Sequence, residues 1–165
     1  MADQFAQYAR MPEPRIEAVD LAEVARGVAA LHEPETVRLE PGDPPVWVRG
    51  DRLLLSRAMH NLILNACEAT SNGAPVEVRT SAEGGFAVLE VLDRGGGLPE
   101  HLRDRLFDPY VSTKNRGSGL GLSLVRDIAV QHGGRITLEN RAGGGVCARL
   151  ELPLVKEDGR EAVNG

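Results

Sequence analysis

Apolar residues recur along this chain with two periods. After Asp51, Leu55, Met59, Leu62, Ala66 and Ala69 follow at steps of four, three, four and three, one stripe of a helix reaching about Thr70. Asp51 is placed to cap that helix, and Asn72-Gly73 to end it. Asp20 is placed to cap a second helix from Leu21 to about Leu31. A third is predicted from Ser118 to Gln131, closed by Gly133-Gly134. Val76–Thr80 and the apolar run Phe86–Leu92 read as a hairpin around Glu83-Gly84-Gly85. Arg135–Asn140 and Val146–Leu152 read as another hairpin across Gly143-Gly144-Gly145. Val37–Leu39 and Val46–Val48 alternate as short strands, with the proline-rich 41–45 segment as their turn. Pro99 to Leu106 reads as a short helix and 107–117 as a loop. Helices and paired strands segregate, so the expected class is α+β: a mixed sheet carrying helices on one face, a two-layer α/β sandwich.

Residues 1–15 (MADQFAQYARMPEPR) look like the end of a helix stopped by Pro12 and Pro14. They read as the remnant of an element preceding a domain at 16–155. The polar stretch 156–165 reads as a disordered tail. With 165 residues and 42% hydrophobic content, the chain is long enough for one domain with a real core. A net charge of -5 and 4% aromatic residues give neither the basic patch nor the stacking surface that nucleic acid requires. The longest apolar runs fall well short of a membrane span, and no signal-peptide pattern opens the chain. Cys67 and Cys147 lack metal spacing and fall in apolar patterns. They read as buried free thiols in a reducing compartment, the cytoplasm.

The candidate chemistry concentrates in Val91–Leu122, VLDRGGGLPEHLRDRLFDPYVSTKNRGSGLGL. Asp93 ends an apolar strand and runs into Gly95-Gly96-Gly97. A carboxylate there can accept a hydrogen bond from an exocyclic amine; adenine carries one where guanine carries a carbonyl. Gly95 and Gly97 would let a ring lie against the main chain. The plainer alternative is an Asp-initiated turn followed by glycines. Further on, Gly117-Ser118-Gly119-Leu120-Gly121 opens a helix, where bare amides and the helix dipole favour an anion. Lys114 and Arg116 stand just before it and could neutralise phosphate. There is no GxxxxGK[ST] sequence, so this is not a P-loop. The GxGxG spacing after a loop also departs from the dinucleotide fingerprint, which follows a strand. On the long helix, Arg57, Asn61, Asn65 and Glu68 form a polar stripe at steps of four, four and three. It reads either as a solvated face or as one wall of a site. Asn is a poor residue for helix interiors, and its carboxamide oxygen is a hard ligand that suits Mg²⁺. The two glycine loops and the asparagines together suggest an ATP site.

These residues resemble the catalytic ATP-binding domain of bacterial sensor histidine kinases, within the wider ATPase group that includes gyrase and MutL. NLILNACEAT (61–70) looks like the N box, DRGGGLP (93–99) the G1 box, LFDPYVSTK (106–114) the F box and GSGLGL (117–122) the G2 box. SLVRDIAVQHGGRI continues the match. The short 107–117 segment and the FAQYARMPEP opening look most like the nitrogen-regulation NtrY/NtrB type. The resemblance covers about residues 20–154 and implies a Bergerat-type ATP-binding fold. It also implies roles. Asn65 would ligand Mg²⁺ bridging the phosphates, with Asn61 and Glu68 nearby. Asp93 would bind the adenine amine, with Gly95 and Gly97 shaping the pocket. Phe107 and Tyr110 would anchor a lid. Lys114, Arg116, Ser118, Gly119, Leu120 and Gly121 would border the phosphates, and Asn61 and Lys114 are the candidate catalytic residues.

In the ATPase branches of the group, a Glu one helical turn before the Mg²⁺ Asn activates water. Asn61 holds that position here and cannot act as a base, which favours phosphoryl transfer over hydrolysis. The family's acceptor histidine sits in a His-Glu/Asp motif of a separate dimerisation domain. His32, His60, His101 and His132 all lack that context and read as surface or boundary residues. The resemblance therefore implies ATP or ADP as ligand, Mg²⁺ as cofactor, and two protein partners: a histidine-bearing dimerisation domain of the same protein, and a response regulator. Without the dimerising helices, the chain is expected to be monomeric. The alternatives are a stand-alone serine kinase of the anti-sigma type and a non-enzymatic nucleotide-sensing module.

Overall fold

The structure is a computed structural model that describes residues 13–40, 44–109, 121–158 and 160. The elements follow in the order β1 (Glu17–Asp20), α1 (Leu21–Ala29), β2 (Val37–Leu39), β3 (Trp47–Gly50), α2 (Arg52–Ala69), β4 (Val76–Glu83) and β5 (Phe86–Leu92). Then come a 3₁₀ helix (Glu100–Arg105), α3 (Gly121–Gln131), β6 (Arg135–Asn140) and β7 (Val146–Pro153).

Five strands form one sheet in the order β2-β4-β5-β7-β6. The β2–β4 pair is parallel and every other pair is antiparallel. The strand alternation expected from the sequence sends Val78, Ala87, Leu89, Val91, Ala148, Leu150 and Leu152 to one face. There they share a single core with Leu55, Met59 and Ile63 of α2 and Val125 and Ile128 of α3. Leu55, Met59, Ile63, Leu89 and Leu150 are fully buried. Truncating any one of them to Ala would cost about 2–5 kcal/mol. The opposite face is charged. Arg149 on β7 reaches Glu83 and Glu90, and its Nε bonds Glu151 at 3.1 Å; Glu151 also accepts from Arg135 at 3.1 Å. The class is α+β, as the sequence predicts.

Both predicted caps form. The Asp20 side chain accepts from the Ala22 N–H at 3.0 Å, and Asp51 Oδ1 accepts from the Leu54 N–H at 3.0 Å. Other expectations need correction. Strand β3 does not turn back onto β2. It pairs antiparallel with β1, with Val19 opposite Val48, in a separate two-stranded sheet. Strand β2 instead pairs in parallel with β4, Val37 opposite Val76, and the β3–α2 segment provides the crossover that a parallel pair needs. Ala69 lies at the last turn of α2 and is exposed, so the apolar stripe ends at Ala66. Cys67 and Cys147 are free but only half-buried. His132 is a core residue, not a boundary one: it is 8% exposed, Nε2 accepts from the Asp51 N–H at 3.0 Å, and Nδ1 lies 2.7 Å from the Ile128 carbonyl. The start of the third predicted helix and the 41–43 part of the proline-rich segment lie outside the described residues. So do residues 1–12 and 161–165. Among the described residues, no helix is long and apolar enough to cross a membrane.

Candidate nucleotide site

Strand β5 delivers Asp93 to the edge of the helical layer. Its main chain is still in the sheet, because the Asp93 N–H donates to the Val146 carbonyl at 3.0 Å. Its side chain is 5% exposed. One carboxylate oxygen, Oδ1, accepts from the Gly95 N–H at 2.9 Å and from the Val146 N–H at 3.0 Å. Oδ2 makes no hydrogen bond among the described residues. The turn reading of this aspartate is what the geometry shows. It initiates a turn through Oδ1, and no described residue engages Oδ2.

The three glycines after Arg94 bring no side chain of their own and are shaped by their neighbours. A Cβ on Gly95 would collide with the Ala69 carbonyl oxygen at the last turn of α2. Gly97 has a φ of +86°, and a Cβ there would lie 2.9 Å from Asn140 Oδ1. These two glycines are thus explained by close packing and by left-handed backbone. Gly96 has neither constraint: a Cβ there would meet nothing within 4 Å. The loop is tied to α2 at a second point, where the Arg94 N–H points at Thr70 Oγ1 across a long 3.5 Å. Asn72 Nδ2 reaches the Arg94 carbonyl at 3.4 Å.

Asn61 and Asn65 stand one helical turn apart on α2, both half-buried, with Asn65 one turn before Ala69. Arg57 and Glu68, at the ends of the same stripe, are exposed. The stripe therefore splits: its outer members are solvated and its asparagines are sheltered. Between them, burial and the neighbouring Glu68 hold the Cys67 thiol above its ordinary pKa, so it stays neutral and offers no thiolate. Phe107 is half-buried and packs against the core beside the buried Leu106. Gly121 opens α3, which packs along α2 and sends Val125 and Ile128 into the core. Tyr110, Lys114, Arg116, Ser118, Gly119 and Leu120 lie outside the described residues.

The structure brings the C-terminal end of the asparagine helix against the Asp93–Gly97 loop. It also adds residues that sequence reasoning missed. Thr70 and Asn72 hold the loop from α2. From the β6–β7 hairpin, Asn140 Oδ1 accepts from the Leu98 N–H at 2.7 Å and Arg141 Nη1 donates to the Asp93 carbonyl at 2.8 Å. The available signal was Gly143-Gly144-Gly145. All three have positive φ, but a two-residue turn needs fewer, and a Cβ on Gly145 would collide with the Asp93 carbonyl oxygen.

A search against known families matches residues 50–156 to the family described as histidine kinase-, DNA gyrase B-, and HSP90-like ATPases. The chain is 37% identical over 163 residues to the nitrogen regulation protein NtrY of Azorhizobium caulinodans, covering 92% of this chain and 21% of that protein. Its fold is similar to the catalytic domain of the histidine kinase ThkA, with a TM-score of 0.75 and 31% identity over 84% of this chain and 95% of that one. It is also similar to full-length ShkA, solved in complex with AMPPNP, with a TM-score of 0.76 and 27% identity over 91% of this chain and 34% of that one. The chain spans between about a fifth and a third of the length of the first curated relatives it matches.

Proposed function

Because this chain belongs to the family of histidine kinase-, DNA gyrase B-, and HSP90-like ATPases, we propose that it holds Mg·ATP against α2 and the Asp93 loop and delivers the γ-phosphate to a histidine of a dimerisation domain. It is a catalytic ATP-binding domain of the sensor histidine kinase kind. The relatives with names are sensor kinases, which sets the anti-sigma alternative aside. The observation that carries the nucleotide reading is the division of labour at Asp93. Oδ1 is spent on Gly95 and Val146, and among the described residues nothing engages Oδ2, which leaves it for one donor. Adenine offers that donor; guanine offers a carbonyl that a carboxylate repels.

Asn65 fits a magnesium ion. Mg²⁺ keeps most of its waters and takes few protein oxygens, and a sheltered carboxamide is a neutral, hard donor of that kind. Bound there with ATP, Mg²⁺ would supply charge neutralisation for the phosphates. Asn61 has no basic group with which to activate water, so the γ-phosphate would be kept for a protein acceptor. Lys114, Arg116 and the amides of Ser118, Gly119, Leu120 and Gly121 would border the phosphates, with Phe107 and Tyr110 at the base of the lid. Catalysis would then be positioning plus charge neutralisation, as phosphoryl transfer generally is. His132 is not the acceptor: both ring nitrogens are engaged in the core. The acceptor, the response regulator that takes the phosphate next, and a nitrogen-regulation role of the NtrY type all belong to this proposal.

Calorimetric titration with ADP and GDP, with and without Mg²⁺, tests the binding half. Adenine-selective binding strengthened by Mg²⁺ is expected. The transfer half is tested by incubating the chain with labelled ATP alone and then with a histidine-bearing dimerisation domain of a sensor kinase. Label should appear only on the added domain. Stable phosphohistidine on the chain alone would overturn that half.

A further inference from the structure

We propose that Arg141 and Asn140, on the hairpin joining β6 and β7, are positioning residues for base recognition, fixing the peptide planes that aim Asp93 Oδ2. The inference rests on the reading of Asp93 as the adenine contact. The three glycines after Arg94 give the loop no side chain of its own to restrict it, so its conformation must be imposed from outside. Two successive peptide planes are pinned by side chains. In the first, the Asp93 carbonyl takes Arg141 Nη1 at 2.8 Å and the Arg94 N–H faces Thr70 Oγ1 at 3.5 Å. In the second, the Arg94 carbonyl takes Asn72 Nδ2 at 3.4 Å and the Gly95 N–H donates to Asp93 Oδ1 at 2.9 Å. A third plane, at Gly97–Leu98, is held by Asn140 Oδ1 accepting at 2.7 Å.

Among the ties that reach the loop from α2 and the hairpin, the guanidinium is the charged one, and a hydrogen bond to a charged group is stronger than a neutral one. It also discriminates in direction. Rotating the Asp93–Arg94 peptide by half a turn would replace a carbonyl oxygen with an N–H in front of a cation. The Gly95 N–H lies in the next plane, joined to the first through the Arg94 Cα, so a first plane that is free to rotate leaves its bond to Oδ1 less firmly held. The hairpin is itself rigid at this point: the Arg141 N–H donates to the Gly145 carbonyl at 2.8 Å, and Gly145 packs against the Asp93 carbonyl. Arg141 thus acts on the base through Asp93, not by touching it.

The test compares wild type with Arg141→Met, which removes the donors, and Arg141→Lys, which keeps a cationic donor. Affinities are measured for ADP and for purine riboside 5′-diphosphate, which lacks the exocyclic amine. Arg141→Met should weaken ADP about tenfold, the scale of one charged hydrogen bond, while the analogue changes much less. Arg141→Lys should recover most of the loss. Amide exchange at Gly95, followed without nucleotide, should speed up about tenfold in Arg141→Met on the same scale. Equal loss of both nucleotides, or unchanged ADP affinity with unchanged Gly95 exchange, would overturn the inference. Should Arg141→Met fail to fold, Asn140→Ala with Asn140→Asp as its rescue carries the same comparison. A wild-type chain with no preference for ADP over the analogue would instead sink the adenine reading, and Gly95 exchange would still judge Arg141.

Discussion

The main-chain N–H of Asp51 donates to Nε2 of His132 at 3.0 Å, tying the cap of α2 to the residue that follows α3. Since Nε2 accepts, the ring proton sits on Nδ1, and it is donated to the Ile128 carbonyl 2.7 Å away. Gly50 completes the fit, because a Cβ there would stand 2.6 Å from the ring. The imidazole is thus a bracket between the two helices that flank the site. His132→Ala should cost about 2–4 kcal/mol, from a cavity and an unpaired amide together. Denaturant unfolding would measure it, and ADP affinity of the folded variant should stay within about twofold, a shift of well under 1 kcal/mol. An unchanged unfolding midpoint would show that the bracket carries no load.

Asp93 should separate into its two oxygens under mutation. Asparagine keeps Oδ1 for Gly95 and Val146 and replaces Oδ2 with an amide donor. Asp93→Asn should therefore leave stability within about 1 kcal/mol while lowering ADP affinity at least about tenfold. Asp93→Ala removes both bonds to Oδ1 and should lose about 2 kcal/mol of stability as well. If the two variants destabilise equally, Oδ2 has a structural role and the adenine contact lies elsewhere.

Magnesium dependence should report on Asn65. Alanine is the better helix former, so Asn65→Ala should not lower the intrinsic helix propensity of α2. With Mg²⁺ present, ADP should bind about tenfold more weakly than to wild type, roughly the loss of one hard ligand. In EDTA the two proteins should bind alike. A variant that retains the full Mg²⁺ enhancement would assign the ion to other ligands.

Acid should expose the charged face of the sheet. Burial tends to raise the pKa of Glu151, but its bonds to Arg135 and Arg149 outweigh that and hold it below the ordinary value of 4.5. A carboxylate depressed in the folded state stabilises the fold fully above its unfolded value, and the contribution fades as pH falls through the folded one. Glu151→Gln should therefore unfold about 1–2 kcal/mol more easily near neutral pH. The gap to wild type should close as pH drops below about 4. A gap that persisted at about pH 2 would mean that the charge is not what Glu151 contributes.

Much of this was legible because period and punctuation agreed. Alternation in Val76–Thr80 and an apolar run in Phe86–Leu92, separated by Gly84-Gly85, leave little choice but the β4–β5 hairpin, and Leu55, Met59, Leu62 and Ala66 fix the inner face of α2. What was not legible is pairing at a distance. Strand β1 has four residues, two of them exposed or half-exposed, too few to display a period. Nothing local tells Trp47–Gly50 to choose Glu17–Asp20 over Val37–Leu39. The same limit applies at the site. Asp93 and its glycines advertise themselves in one run of sequence, whereas Arg141 lies 48 residues away and looks like an ordinary hairpin charge until the fold brings it to the Asp93 carbonyl.

Gly96 has open space around it and no need of left-handed backbone, between two glycines that can accept no side chain. It is therefore an attachment point. A cysteine placed there could carry a fluorophore beside the candidate nucleotide site. The native thiols need not be removed first: burial holds Cys67 above its ordinary value, and burial with Glu90 pushes Cys147 up to about 11. At neutral pH both would react slowly with a maleimide. One substitution would turn this domain into an optical reporter of its own nucleotide occupancy.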